Sequence, residues 1–217
     1  MHCIVTAGPT YEPIDQVRRL TNHSTGQLGT GLARRLADDG HEVTLLRGRA
    51  ATHKEMPEGI GFQEFTTTAD LTEKLEGLAK AKPVAGGVFH TAAVSDFAVG
   101  QIFQRADDGQ LKPLNAGKIS SRIGHLLLEL KSTPKIIASL REWFEEALLL
   151  GWKYEVDGDR DSALGQGQTQ IVENQTNGCV VNGPAYGNGF GWLSNDHPAE
   201  HLADKAELFN RLAGLAK

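Results

Sequence analysis

Between Cys3 and Gly31 the chain reads CIVTAGPTYEPIDQVRRLTNHSTGQLGTG, and few folds accommodate such a run. An apolar segment, Cys3-Ile4-Val5, breaks at Ala7-Gly8-Pro9. A polar loop with Glu12, Asp15, Arg18 and Arg19 follows, then Gly26, Gly29 and Gly31. Leu28, Leu32, Ala33 and Leu36 recur at helical spacing up to Asp38-Asp39-Gly40. The pattern is a buried strand, a long loop, and a helix whose first turn carries almost no side-chain bulk. Bare amide N–H groups and the positive end of the helix dipole make such a turn a seat for phosphate. The same glycines also let a helix pack closely on a sheet, and spacing alone does not separate the two roles.

Further along, strands are predicted at His41–Leu46, Gly61–Thr67, Val84–His90, His125–Leu130, Leu148–Lys153 and, as the last core strand, Gly178–Asn182. Helices are predicted over about Ala69–Ala81, from Thr133 as N-cap with Pro134 as first helical residue, and weakly over 162–177. A last helix covers Ala203–Leu215, with Ala206, Phe209, Leu212 and Leu215 facing inward, and Gly183–Asn195 reads as a glycine-rich loop. Leu126–Leu128 is assigned to the core. The order predicts an α/β fold: a doubly wound, mainly parallel, Rossmann-like sheet with helices on both faces. Ala98–Arg122 is polar and lacks helical period, so it reads as a flexible flap or hairpin excursion turning at Asp107-Asp108-Gly109, within one domain spanning 1–217. In such sheets ligands lie beyond the carboxyl ends of the strands, where the winding reverses. The loops at Gly8 and at Ala92–Asp96 should meet there.

Composition narrows the function. A net charge of -5 gives no general attraction to nucleic acid, so a bound polyanion is expected to be small and held locally. No apolar run approaches the ~20 residues of a membrane span, and no basic-then-apolar leader opens the sequence, so a cytoplasmic protein off the membrane is expected. Cys3 and Cys179 sit in apolar runs and read as buried thiols. His23, His53, His125, His197 and His201 show no metal-ligand spacing, and no protein metal site is expected. His90 ends a buried strand and reads as hydrogen-bonded structure rather than an acid or base. A nicotinamide reductase would need G-x-G-x-x-G directly after the first strand and an acidic residue ending the second. Here the first turn is Ala7-Gly8-Pro9-Thr10 and the second strand ends Leu46-Arg47-Gly48.

The segments TAGPTYEPIDQVRRLTNHSTGQLG, HTAAVSDF, GKISS, LKSTPKII, GWKYEV, VVNG and ADKAELF resemble, in order and spacing, the phosphopantothenate–cysteine ligases. The NHSTG, KISS and TPKII forms are similar to the stand-alone bacterial branch rather than the domain fused to a flavin-dependent decarboxylase. The resemblance implies that 4′-phosphopantothenate is activated by CTP (ATP being the alternative) to an acyl-cytidylate with release of pyrophosphate. The amine of L-cysteine then forms the amide and CMP leaves, on the route to coenzyme A. It also implies Mg2+ carried on the phosphates, a homodimer with sites near the subunit boundary, and a functional link to a separate flavin-dependent decarboxylase.

Residue by residue, the resemblance makes Lys118 the support of the first half-reaction, through charge on the triphosphate. Asn22 belongs to the second half-reaction, as donor to the acyl oxygen, with Arg18 assisting and Ala93 at the substrate. Nucleotide contacts fall on Gly8, Ser24, Gly26, Ala92, Asp96, Phe97, Lys118, Thr133, Pro134, Lys135, Ile136, Trp152 and Lys153. Two departures stand out. Trp152 replaces the family's phenylalanine. The helix that carries family lysines reads ALGQGQTQIVENQ, with Gln166 and Gln170 near their places and no Lys or Arg between Arg160 and Lys205. That leaves Lys153 as a substitute charge, and a non-catalytic nucleotide-binding relative as the competing function.

Overall fold

His2–Ala7 (β1) is buried along its whole length, because its alternate side chains enter two different cores. Cys3, Val5 and Ala7 face one cluster, and Ile4 faces the other. The computed structural model describes residues 1–216. After β1 come β2 (Tyr11–Pro13), β3 (Arg19–Thr21), α1 (Gln27–Asp38), β4 (Glu42–Gly48), β5 (Gly61–Phe65), α2 (Thr68–Ala79) and β6 (Gly87–His90). The second half holds β7 (Phe97–Arg105), β8 (Leu111–Pro113), β9 (His125–Ser132), α3 (Ile136–Trp143), β10 (Leu148–Tyr154) and α4 (Arg160–Asn174). β11 (Gly178–Asn182), β12 (Phe190–Ser194), β13 (Glu200–Leu202) and α5 (Lys205–Ala213) close the chain.

The main sheet is eight-stranded in the order β13-β12-β11-β10-β6-β1-β4-β5. It is parallel from β5 to β11 and antiparallel at β12 and β13. Chain order runs outward in both directions from β1, so the winding reverses between β1 and β6. Leu32 and Leu36 of α1 and Leu208 and Leu212 of α5 cover one face with Val5, Leu45 and Val180. Leu71 and Leu75 of α2 and Ile136 and Leu140 of α3 cover the other with Ile4, Val88 and Leu149. Ala163 and Ile171 of α4 pack on Cys179 and Val181 there. Each fully buried leucine contributes about 1.5–3 kcal/mol, which is what pins helices to both faces. The doubly wound α/β fold is therefore as expected, and both cysteines are buried and free.

Several boundaries differ. β11 is not the last strand: Phe190 and Trp192 alternate through the glycine-rich stretch and add β12 beside it, with β13 beyond at the sheet edge. Of the stripe expected at α5, Phe209, Leu212 and Leu215 do pack on the core, but Ala206 is exposed and Leu208 is buried in its stead. Val84 is 57% exposed, and β6 begins only at Gly87. Thr133 does not cap α3; the N-cap is Lys135, and the Thr133 hydroxyl donates to Ser95 O instead.

The excursion after residue 97 forms a separate three-stranded antiparallel sheet, β8-β7-β9. The expected turn is present, with Gly109 N donating to Ala106 O and Gly109 at φ +83°. β9 therefore does not belong to the core. Its leucines pair with β7, and Leu126 and Leu130 are exposed.

Candidate functional site

The end of β1 and the loop after β6 are stitched together by backbone bonds. Ala93 N donates to Gly8 O at 3.0 Å, and Thr10 N donates to Ala93 O at 3.2 Å. Gly8 and Gly26 both hold positive φ, +77° and +78°, and a Cβ built on Gly26 would stand 3.4 Å from Gly8 Cα. Only glycine takes this conformation at low cost, so the two turns nest and α1 starts directly above the strand ends. Gly29 lies against Thr6 O and Ala7, and Gly31 against the Phe209 ring. The glycine cluster thus divides its work: Gly26 shapes the turn, while Gly29 and Gly31 allow close packing.

A crevice of about 850 Å³ opens at this point. It takes in Gly8, Asn22, Ser24 and Gly26 from the first segment, and Ala92, Ala93 and Asp96 from the loop after β6. Thr133, Pro134, Lys135 and Ile136 line it at the start of α3, and Trp152 and Lys153 at the end of β10. Asn22 is oriented by Nδ2 donating to Val94 O at 3.0 Å. Trp152 donates from Nε1 to Asn182 Oδ1 at 3.2 Å, with its ring half-buried against the core. Lys153 shares its charge with Glu155 at 3.3 Å.

Three expected residues lie outside this lining. Phe97 opens β7 and is 46% exposed. Arg18 and Lys118 belong to a neighbouring assembly built on Asp15, whose side chain is fully shielded. Asp15 accepts from the amides of Val17 and Arg18, from Arg18 Nη1, and from Ile119 N. Burial pushes this carboxyl up, but those hydrogen bonds outweigh it and draw the pKa down to about 2. Arg18 Nη1 also donates to Ile119 O at 3.1 Å, and Gln16 N to Gly117 O at 2.9 Å. Lys118 is therefore clamped on both sides to the β2–β3 hairpin.

The helix termini show what the crevice is suited to hold. α2, α4 and α5 begin with side-chain caps from Thr67, Asp159 and Asp204. α1 and α3, whose first turns line the crevice, have no side-chain cap and no acidic residue in the first turn. Their amides and dipole ends converge on one space beside Lys135 and Lys153, an arrangement that favours a polyanion. A shallower hollow of about 960 Å³ adjoins it against the start of α5, but Asp204 already caps that terminus.

The resemblance points to Gln166 and Gln170 of α4, whereas Thr169, Glu173 and Asn174 of the same wall are not among the expected residues. Gln166, Thr169, Gln170, Glu173 and Asn174 face the crevice and bring no cation. Gln170 is held in place, donating to Trp152 O at 3.3 Å and accepting from Cys179 Sγ at 3.1 Å. Their recurrence at helical spacing, polar on a helix otherwise facing the core, was the available signal. No group of three or more metal-binding side chains occurs among the described residues. Nor is any described helix long and apolar enough to cross a membrane.

Comparison with known proteins identifies the chain's relatives. Residues 1–206 match the family described as DNA/pantothenate metabolism flavoprotein C-terminal domain. The chain is 34% identical over 155 residues to the coenzyme A biosynthesis bifunctional protein CoaBC of Bacillus subtilis, covering 71% of this chain but only 34% of that relative's length. The crystal structure of the DNA/pantothenate metabolism flavoprotein from Streptococcus pneumoniae superposes with a TM-score of 0.84 at 27% identity, covering 100% of this chain and 98% of that one. A Cab2 mutant in complex with phosphopantothenate-cysteine has the same fold, with a TM-score of 0.74 at 18% identity, covering 99% of this chain and 85% of that one.

Proposed function

The chain belongs to the DNA/pantothenate metabolism flavoprotein C-terminal domain family, and on that premise we propose that it is a ligase of coenzyme A biosynthesis joining 4′-phosphopantothenate to L-cysteine. The observation that carries the reading is the pair of uncapped helix termini facing one crevice with Asn22. A carboxylate reacts with an amine only after conversion to a mixed anhydride. That step brings a carboxylate against a triphosphate, and it needs cations and amide dipoles aimed at the charge. The carboxylate attacks the α-phosphorus of CTP and expels pyrophosphate. The cysteine amine then attacks the acyl carbon, loses a proton and expels CMP. The first turns of α1 and α3 hold the phosphates, Lys135 and Lys153 offset their charge, and the Asn22 amide donates to the acyl oxygen. Mg2+ would be carried mainly by the phosphates and would offset their charge, with Asp96 and Glu173 as the lining carboxylates available to it.

A homodimer is part of this proposal. Val99 pairs with Leu130, and the exposed Leu126 and Leu130 of β9 leave apolar surface on the small sheet for a second copy to cover. The chain spans about a third of the B. subtilis relative's length. A flavin-dependent decarboxylase acting on the amide product in the next step is part of the proposal as a partner. The α4 wall favours one competing reading, a relative that binds nucleotide without turnover, because amides stand where cations would serve catalysis.

Pyrophosphate release and amide formation, measured with CTP, with ATP and with neither, decide between them. The ligase reading expects release with CTP and loss of amide product in Asn22→Asp and Asn22→His. Nucleotide binding without release would establish the competing reading, and full activity in the Asn22 variants would remove Asn22 from the mechanism.

A further inference from the structure

His90, the last residue of β6, is only 6% exposed yet lines the crevice. Its Nδ1 lies 3.0 Å from Thr6 Oγ1, and that hydroxyl also accepts from Ala92 N at 3.1 Å. A hydroxyl has one proton and two lone pairs. Were Nδ1 protonated, Thr6 would accept twice and its own proton would find no acceptor among the described residues. With Nδ1 bare, Thr6 donates to it, and Nδ1, the hydroxyl and Ala92 N are all paired. The network thus assigns the ring proton to Nε2. Nε2 has no protein partner among the described residues, and it is not one of the polar atoms sealed away from solvent. It therefore opens onto the crevice, beside the uncapped start of α3.

We propose that His90 is a ligand-binding residue, an uncharged Nε2–H donor in the crevice floor that meets an anionic phosphoryl oxygen held at the first turn of α3. Burial pushes the imidazole down to about 4, so the ring stays neutral at physiological pH. Lys135 supplies charge at this terminus, and His90 supplies direction. The fixed tautomer means that the donor is set before the ligand arrives, which lowers the cost of binding. The choice of ligand rests on the ligase reading; the donor itself does not. Two phosphoryl sources fit the chemistry, the nucleotide's phosphate chain and the phosphate of 4′-phosphopantothenate.

The test uses the full chain labelled with 15N-histidine, titrated separately with inorganic pyrophosphate, CTP and 4′-phosphopantothenate to saturation by calorimetry. The free protein should show His90 protonated at Nε2, and that N–H resonance should move with whichever ligand reaches it. His90→Leu removes the donor and should weaken that ligand about 10–100-fold, whereas His90→Gln keeps an N–H at similar reach and should stay within about 3-fold. A purely structural histidine would give no ligand-dependent shift and would not be rescued by glutamine. Protonation at Nδ1, or an unmoved resonance with all three ligands saturating, overturns the proposal. Failure of all three to bind overturns both it and the ligase reading. A shift with pyrophosphate but no amide product removes the ligase reading alone. Product formed with the resonance unmoved removes His90 alone.

Discussion

Substituting Gly29 by alanine measures how closely α1 must sit on the sheet for the crevice to exist. A Cβ at Gly29 would stand 2.4 Å from Thr91 Oγ1, 2.7 Å from Ala7 Cβ and 2.9 Å from Thr6 O. Two of these neighbours have no flexible end to move. The third is tied down, since Thr91 Oγ1 donates to Thr6 O at 2.6 Å. The helix itself must lift. At an unhindered helical position, glycine to alanine gains about 1 kcal/mol from propensity and chain entropy. Overpacking costs about 1–3 kcal/mol, and a contact against backbone and a fixed methyl belongs at the upper end of that range. The net expectation is a loss of about 2 kcal/mol, or a Tm lower by about 4–8 °C in a chain of this size.

Gly77 in α2 is the internal control, because a Cβ there meets nothing within 4 Å. Gly77→Ala should gain about 1 kcal/mol and raise Tm by about 2–4 °C. Equilibrium urea unfolding of the two variants beside the unaltered chain separates the terms. Pyrophosphate affinity should fall in Gly29→Ala alone, since lifting α1 moves its first-turn amides away from the strand ends. A Gly29→Ala protein as stable as the unaltered chain would refute the reasoning, for it would mean that α1 is not held at that distance.

Burial lifts the Cys3 and Cys179 thiols to about 11 and about 12, so a thiol reagent at pH 7.5 should label neither until the chain is unfolded. His90 has a folded pKa of about 4 against an ordinary 6.5, so the unfolded state binds more protons between those values and stability should rise with pH across that window. In His90→Leu that part of the slope should flatten, as urea midpoints measured from pH 4 to 6.5 would reveal. Asp15 has the same sign in a lower window: its folded pKa of about 2 lies below the ordinary 3.8, so its contribution is complete above the ordinary value and fades as pH falls toward 2. Asp15→Asn should speed hydrogen exchange at the Ile119 amide, and unchanged protection there would dissociate Asp15 from the clamp.

The central sheet was legible because strands buried on both faces are apolar at every position. Cys3-Ile4-Val5 and Leu148-Leu149-Leu150 carry that signal without help from tertiary context. The crevice was legible for the same reason: once the strands are placed, their carboxyl ends and the reversal of winding follow. Leu126–Leu130 misled, since leucine density reports a strand but not which sheet will take it. Here the partner is β7, away from the main core. At Gly189-Phe190-Gly191-Trp192 the glycines suggested a loop, although the alternating aromatics were already strand-like and β11 had an edge to receive them. Thr133 had the right chemistry for a cap, but Ser95 O offered its hydroxyl another acceptor. The place of Lys118 was invisible for a further reason. It depends on Asp15, whose bond to Ile119 N spans far more sequence than local patterning can reach.

The expected site therefore falls into two bodies with different mechanical status. Gly8, Asn22, Ala92, Lys135 and Lys153 are fixed to strand ends and helix starts. Arg18 and Lys118 are fixed to one another, since Asp15 binds both the turn that carries Arg18 and the backbone beside Lys118. Any closure of the hairpin over the crevice must bring the two cations together rather than one at a time. The charge they deliver is not the sum of two, because the Arg18 guanidinium is already paired with Asp15. Lys118 has no ion-pair partner among the described residues, so it supplies the net positive charge, and Arg18 offers its remaining N–H donors without changing the electrostatic balance. The ligase reaction proposed above would use that division. Neutralising a triphosphate calls for an uncommitted ammonium, whereas orienting an acyl oxygen calls for fixed donors.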